Sequence, residues 1–205
     1  MQNVNQFSLS HSNITENTLF GVYADAQFCT ITKSTFYPNY QGGIACLGRY
    51  EITNNFLFRN GNPSDAKFGG MRLDTSTTGN RVAHNTLAQN VRAYSAVAPV
   101  YAGGLFCNNG IAPNNLLVDN EHGNEQDPSA QKAGSCDFAG SITNESADPY
   151  LFIEPYNSPQ NFHFSSSLSP AINAGALLLM PITDDFDTNP RTDGVPDVGA
   201  DEFVP

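Results

Sequence analysis

Arg72 and Asp74 stand two residues apart in Gly70-Met71-Arg72-Leu73-Asp74, and Tyr23 and Asp25 hold the equivalent places in Gly21-Val22-Tyr23-Ala24-Asp25. Phe106 and Asn108 fill them in Gly104-Leu105-Phe106-Cys107-Asn108, and Ala45 and Leu47 in Gly43-Ile44-Ala45-Cys46-Leu47. Alternation along a strand sends these residues to the face opposite Val22, Ile44, Met71 and Leu105. Two aromatics, an arginine and two carboxylates on one outward face suit sugar rings with acidic substituents. Two reactions use such groups. Elimination from a uronate needs a base for the C5 proton and a cation against the carboxylate; Arg72 can serve as either, with Lys67 or Arg59 as partner. Glycoside hydrolysis needs two carboxylates flanking the bond. Asp25 and Asp74 lie two repeats apart, about 10 Å at parallel-strand spacing, the far limit for an inverting pair. Ala45 and Leu47 interrupt the constellation, which favours carbohydrate contact without catalysis. An ordinary solvated strand face is the competing reading.

Such a face exists only if the strands stack, and residues 9 to 120 carry the repeat that stacks them. A Ser or Asn is followed five residues later by Asn in Ser12/Asn17, Ser34/Asn39, Asn55/Asn60, Asn85/Asn90 and Asn115/Asn120. An apolar residue sits two places after the first member: Ile14, Phe36, Leu57, Leu87 and Leu117. Successive copies are offset by 22, 21, 30 and 30 residues. A unit of this period buries its apolar face only against its neighbours, which predicts an all-β solenoid. Each copy reads as three short strands. One follows the Gly, one holds Leu9, Ile31, Ile52 or Val82, and one carries the apolar residue before the final Asn. Gly134-Ser135-Cys136 reads as a degenerate fifth copy of the Gly element. This is the size of a coil of a parallel β-helix, right-handed because parallel crossovers are. Stacked Asn side chains can bond along the ladder, and Asn accepts the left-handed conformation such turns need. Repetition in every coil marks these Asn as structural.

The chain has 205 residues, enough for one domain with a sizeable core. No apolar run approaches transmembrane length. A net charge of −11 and a pI near 4.5 argue against nucleic-acid binding, which needs a basic surface. The charge is uneven. Residues 49–92 hold Arg49, Arg59, Lys67, Arg72, Arg81 and Arg92 against three acids, whereas residues 110–205 hold only Lys132 and Arg191 against fifteen. A basic middle on an acidic chain predicts a local anion site, with scatter over a solvated surface as the alternative. The spacing of Cys29, Cys46, Cys107 and Cys136 fits no zinc motif or small disulfide framework, so buried free thiols are expected. Cys46 and Cys107, with the Leu73 strand between them, are too far apart to bridge. Cys107–Cys136 can form if 134–137 is the next copy of that strand.

His11 and His84 each precede a ladder position, His122 lies in an acidic loop, and His163 alternates with Phe162 and Phe164. None reads as a metal ligand, and no cofactor is expected. The acidic tail (Asp184, Asp185, Asp187, Asp193, Asp197, Asp201) offers hard oxygen ligands for calcium. The alternative is a loop over the last coil whose Asp side chains cap turns.

Ile52-Thr53-Asn54-Asn55-Phe56-Leu57 and Gly70-Met71-Arg72-Leu73 resemble repeats of the pectin-lyase-like right-handed parallel β-helix superfamily. The tail, with Asp148-Pro149, Asn161-Phe162-His163-Phe164, Ser169-Pro170-Ala171-Ile172-Asn173-Ala174-Gly175 and Asp197-Val198-Gly199-Ala200-Asp201-Glu202-Phe203, resembles the C-terminal signature of secreted bacterial choice-of-anchor Q proteins. The resemblance implies about five coils over residues 1–144 and a capping segment, 145–205, closing the C-terminal end. It implies an extracellular or cell-surface place and a groove along the strand after Gly, walled by the preceding loop. Those loops are short before Gly21 and Gly43 and long at 61–69 and 91–103. The expected carbohydrate site is therefore Tyr23, Asp25, Lys67, Arg72, Asp74 and Phe106, walled by loops around Lys67 and Tyr94. The superfamily also hosts lyases and hydrolases, which keeps open a cleft around Arg72 and Asp74, and inert or adhesive scaffolds. The chain opens inside a repeat with no signal peptide after Met1, and reads as a piece missing upstream sequence. The apolar cross-section at Val4, Phe7, Leu9, Ile14 and Val22 predicts either self-association through that end or native sequence missing upstream.

Overall fold

Two ladders of buried amides organise the chain. In the first, Asn85 donates from Nδ2 to Asn115 Oδ1 at 3.0 Å and to the carbonyls of Ile52 and Ala83. Its own Oδ1 accepts the backbone N–H and side-chain amide of Asn55. This ladder runs from Ser12 through Ser34, Asn55, Asn85 and Asn115 to Ser141. The second runs Asn17, Asn39, Asn60, Asn90, Asn120 and ends on Gln131. The residue in the left-handed region is not the ladder residue, as expected, but the one before it. His11, Lys33, Asn54, His84 and Asn114 precede the first ladder, and Glu16, Arg59, Gln89 and Asp119 the second, all with φ between 48° and 58°. That kink turns the next side chain inward onto the ladder.

The computed structural model describes residues 6–94, 101–123, 125–126, 128–191 and 194–204. Val4, Asp193 and positions 95–100 of the long loop lie outside them. Regular structure among these residues is nearly all strand, as expected. The chain passes through three parallel sheets in rotation. The first contains Gln6–Ser10, Phe28–Thr32, Arg49–Thr53, Asn80–Ala83 and Gly110–Ile111. The second contains Asn13–Ile14, Thr35–Phe36, Phe56–Phe58, Thr86–Ala88, Leu116–Val118 and Ile142–Asn144. The third contains Phe20–Ala24, Gly42–Cys46, Met71–Leu73, Leu105–Cys107 and Lys132–Gly134. Inward residues from all three meet in one core of Ile31, Ile52, Val82, Leu57, Leu87, Leu117, Ile44, Met71 and Leu105. The last strand of the third sheet starts earlier than expected, since Leu105 pairs with Lys132 and Cys107 with Gly134.

The cysteines correct the sequence reading. All four are bonded, as Cys29–Cys46 and Cys107–Cys136. Cys46 and Cys107 do not bridge, as expected, but Cys29 in the first sheet reaches Cys46 in the third, with Cα atoms 6.5 Å apart. Comparison within one sheet could not find a pair that crosses between sheets. Cys136 reaches Cys107 from just beyond the 132–134 strand.

The segment after residue 144 lies along the side of the stack, whereas closure of its C-terminal end was expected. The second sheet is apolar on both faces. Leu57, Leu87 and Leu117 point into the core; Phe56, Phe58, Ala88, Leu116 and Val118 pack under Tyr150, Phe152, Phe162, Phe164, Ala171, Val198 and Ala200. A sheet with two apolar faces must be covered on both. The cover includes an antiparallel hairpin, Phe152–Glu154 with Asn161–Phe164. It reaches back to the second repeat, where Asp184 pairs with Lys33 at 2.6 Å.

Two outcomes are expected. Asn85→Ala removes an amide whose partners stay buried, so chemical denaturation should show a loss of about 1–3 kcal/mol. Thiol counting on the denatured, unreduced chain should find no free thiol; four would restore the free-thiol reading.

Candidate functional site

The third sheet places the expected site residues in two outward columns. Tyr23 pairs with Ala45, Ala45 with Arg72 and Arg72 with Phe106 in register. Backbone N–H groups of Leu47, Asp74 and Asn108 each bond to the strand before, which sets the second column beside the first. Tyr23 is 55% exposed, Asp25 and Lys67 are exposed, and Arg72 and Asp74 are half-buried. Arg72 donates to Asp74 Oδ2 at 3.3 Å, and its guanidinium lies 4.6 Å from the centre of the Tyr101 ring. Asn108 Nδ2 donates to the other Asp74 oxygen at 3.3 Å. The carboxylate is thus held between an arginine and an amide, and an aromatic face lies against the arginine.

Phe106 departs from expectation. It faces outward but is only 8% exposed, because the Tyr101 ring stands edge-on to it at 4.7 Å. Tyr101, at the end of the 91–103 loop, takes over as the aromatic surface. Strand alternation could not find it, since it lies outside the strand. Ala45 is fully buried. The 61–69 loop is anchored by Phe68, which stacks on Phe20 at 5.3 Å, and Phe20 contacts Tyr23. The long loop thus rests next to Tyr23, with Lys67 exposed on it.

The basic segment does not form one patch. Arg81 pairs with Glu51 on the first sheet and Arg49 covers Phe28 there. Arg59 donates to Gln89 and to the Tyr156 carbonyl beside the second sheet, which removes it as a partner for Arg72. Arg92 is buried. Only Arg72 and Lys67 remain near the expected site, because a run of 44 residues here circles all three faces.

An open hollow of about 510 Å³ lies where the second sheet turns into the third, lined by Glu16, Asn17, Pro38, Tyr40, Gln41 and Gly61 among others. Thr18, Tyr40 and Gly61 each follow a ladder Asn directly, a sequence cue to this hollow.

The acids of the tail mostly turn onto backbone amides. Asp185 accepts from Asn189 and Glu202, and Asp197 from Asn173 and Phe203. Arg191 is buried on Glu202 at 2.6 Å. Those contacts are the turn-capping arrangement. Asp187 and Asp201 converge instead on His163, which the sequence placed as an exposed strand residue; its side chain is partly covered. Burial pushes the Asp201 carboxyl up to about 6, against the Phe164 amide that bonds to it.

No protein-family model matches the chain, and no curated protein is significantly similar to it. No helix among the described residues is long and apolar enough to cross a membrane.

His84 supplies a pH test. Asn114 Oδ1 accepts the Ala176 N–H, so its Nδ2 is the donor facing His84 Nε2 at 3.1 Å. Burial, aided by the charge of Arg191, pushes this imidazole down to about 3. The unfolded chain takes up a proton near pH 6.5 that the folded chain refuses. The stability His84 contributes is therefore complete above about pH 6.5 and lost as pH falls toward 3, by up to about 1.4 kcal/mol per pH unit. In urea melts from pH 7 to 4, His84→Asn should show a shallower loss than wild type; an equal slope refutes the assignment.

Proposed function

We propose that this chain is a right-handed parallel β-helix module of an extracytoplasmic bacterial protein, and that it binds an acidic polysaccharide along the third sheet without cleaving it. The solenoid reading rests on three parallel sheets visited in rotation and on two continuous amide ladders. The resemblance to pectin-lyase-like repeats supports it, and the tail resembling choice-of-anchor Q proteins supports the place. Residues 1–144 then form the coils and 145–205 a lateral cover of the same domain. The partly buried Phe7, Leu9, Ile14 and Val22 of the first repeat favour self-association at that end.

The observation that carries the binding reading is the in-register row of Tyr23, Arg72 and, over Phe106, Tyr101. Aromatic faces suit sugar rings, and the arginine suits a uronate carboxylate or sulfate. Asp74 and Asn108 add acceptors and a donor for hydroxyls. The same geometry argues against hydrolysis. Asp25 and Asp74 lie two strand spacings apart, about 10 Å, at the far limit for an inverting pair, and the Asp74 carboxylate is held by Arg72 and Asn108. Arg72 is already engaged by Asp74 and Tyr101, which does not suit it to take a proton.

A glycan array with neutral and acidic oligosaccharides tests this reading. Binding to an acidic glycan should weaken as salt rises. Tyr23→Ala with Arg72→Ala should cut it by about 30-fold or more, the size of losing an aromatic and a charged contact. The melting temperature should hardly move, since neither side chain is in the core. Binding unchanged in that variant would leave the structural or adhesive scaffold in front. Release of unsaturated or reducing ends from uronates would instead favour the lyase or hydrolase.

A further inference from the structure

We propose that His163, Asp187 and Asp201 bind one zinc ion, which ties the hairpin of the C-terminal segment to its final stretch. Asn161 Oδ1 accepts the backbone N–H of His163 at 2.9 Å, so this atom is the amide oxygen. The same oxygen lies 2.6 Å from His163 Nδ1, which must therefore carry a hydrogen. Nε2 is the ring atom that faces the acidic cluster. It is shielded from solvent and makes no hydrogen bond, although Asp187 Oδ2 is only 2.9 Å away. A nitrogen and a carboxylate oxygen this close, but off the axis of a hydrogen bond, are placed as two ligands of one ion. Tetrahedral zinc with bonds of about 2.0–2.2 Å holds two donors roughly 3.3–3.6 Å apart, so this pair would open by about half an ångström on binding.

The third donor is Asp201, only 5% exposed. One of its oxygens accepts the Phe164 N–H at 2.7 Å, which fixes the carboxylate. Donor atoms of the three residues lie within 4.8 Å of one another, so a closure of less than about 1 Å brings them onto one ion. Among the described residues neither carboxylate is paired with a lysine or arginine. Two carboxylates and an imidazole nitrogen facing one point are a donor set suited to a divalent metal ion. Asn161 on Nδ1 and the Phe164 amide on Asp201 supply the outer contacts that orient metal ligands. Phe56 and Phe186 flank the ring at 4.9 and 5.9 Å and limit water on that side. One imidazole with two carboxylates suits zinc, whereas calcium takes six to eight oxygens. Three protein ligands leave a position open to water or an added ligand. The paired cysteines offer no competing thiolate.

The test uses the full chain, stripped with a chelator and dialysed. Calorimetry with zinc chloride should give one ion per chain. Zinc at about 100-fold above its Kd should raise the melting temperature by about 5 °C or more, whereas calcium and magnesium should not. Asp187→Asn, at a half-exposed side chain that leaves the fold intact, and His163→Gln should each abolish the shift, while His11→Gln keeps it. No zinc-dependent shift in the wild type overturns the proposal and leaves the His163–Asp187 contact as a side-chain pair without a metal. An equal shift in Asp187→Asn, or a larger shift with calcium, overturns it as well. Neither result bears on the carbohydrate row, which shares no residue with this site.

Discussion

The fold depends on one constraint: a buried amide must satisfy two donors and an acceptor at once. Along each ladder it does so with the next amide, a strand carbonyl and a backbone N–H. That solution works only if every repeat places an amide at the same height, in the same register, facing inward. A one-residue slip would strand several buried polar groups, each costing about 1–3 kcal/mol. The ladders therefore act as a register gauge. They explain how repeats of unequal length share one core. The extra residues between 61 and 69 fall outside the ladders, so they add length without disturbing the register. Gln131, which belongs to no repeat, ends the second ladder by accepting from Asn120 and donating back to its carbonyl.

With the inside fixed, the outward faces separate by chemistry. The second sheet presents Phe56, Phe58, Leu116 and Val118 outward, and such a face persists only under cover. The 145–205 segment supplies it, and in crossing the sheet it brings acids from far along the chain onto amides, onto Arg191 and onto His163. The third sheet presents polar and aromatic residues and is covered only in part: Ala45 and Phe106 are buried, Tyr23 is exposed and Arg72 half-buried. The two degrees of cover follow from one alternation rule applied to different residues.

How much of this was legible follows from the same division. The ladder Asn, the inward apolar positions and the outward row of Tyr23, Ala45, Arg72 and Phe106 all follow from periodicity, because each depends on residues close in sequence or repeated. What periodicity could not supply lies between elements that do not repeat. The Cys29–Cys46 bond crosses two sheets, and Tyr101 covers Phe106 from a loop. The lateral path of the tail depends on which outward face is apolar, a property visible in Phe56 and Phe58 once the strand is placed. His163 looked ordinary because its partners, Asp187 and Asp201, lie 24 and 38 residues further along. The basic segment misled in the opposite sense: neighbours in sequence, once wound around three sheets, are not neighbours in space.

A platform locked this way has a consequence for recognition. Ladder amides and a close-packed core hold the third-sheet side chains at strand spacing, about 4.8 Å per step, before any ligand arrives. A ligand of the kind proposed would then meet little backbone ordering cost, and its affinity would depend on the few side chains that face it. Tyr23 and the Arg72–Tyr101 pair stand on either side of Ala45, which is itself fully buried, so they are the groups of the row that a ligand could reach. Specificity in this module would therefore change most readily through loop residues such as Tyr101 and Lys67. They alter the walls while leaving the amide ladders, and hence the register of the floor, untouched.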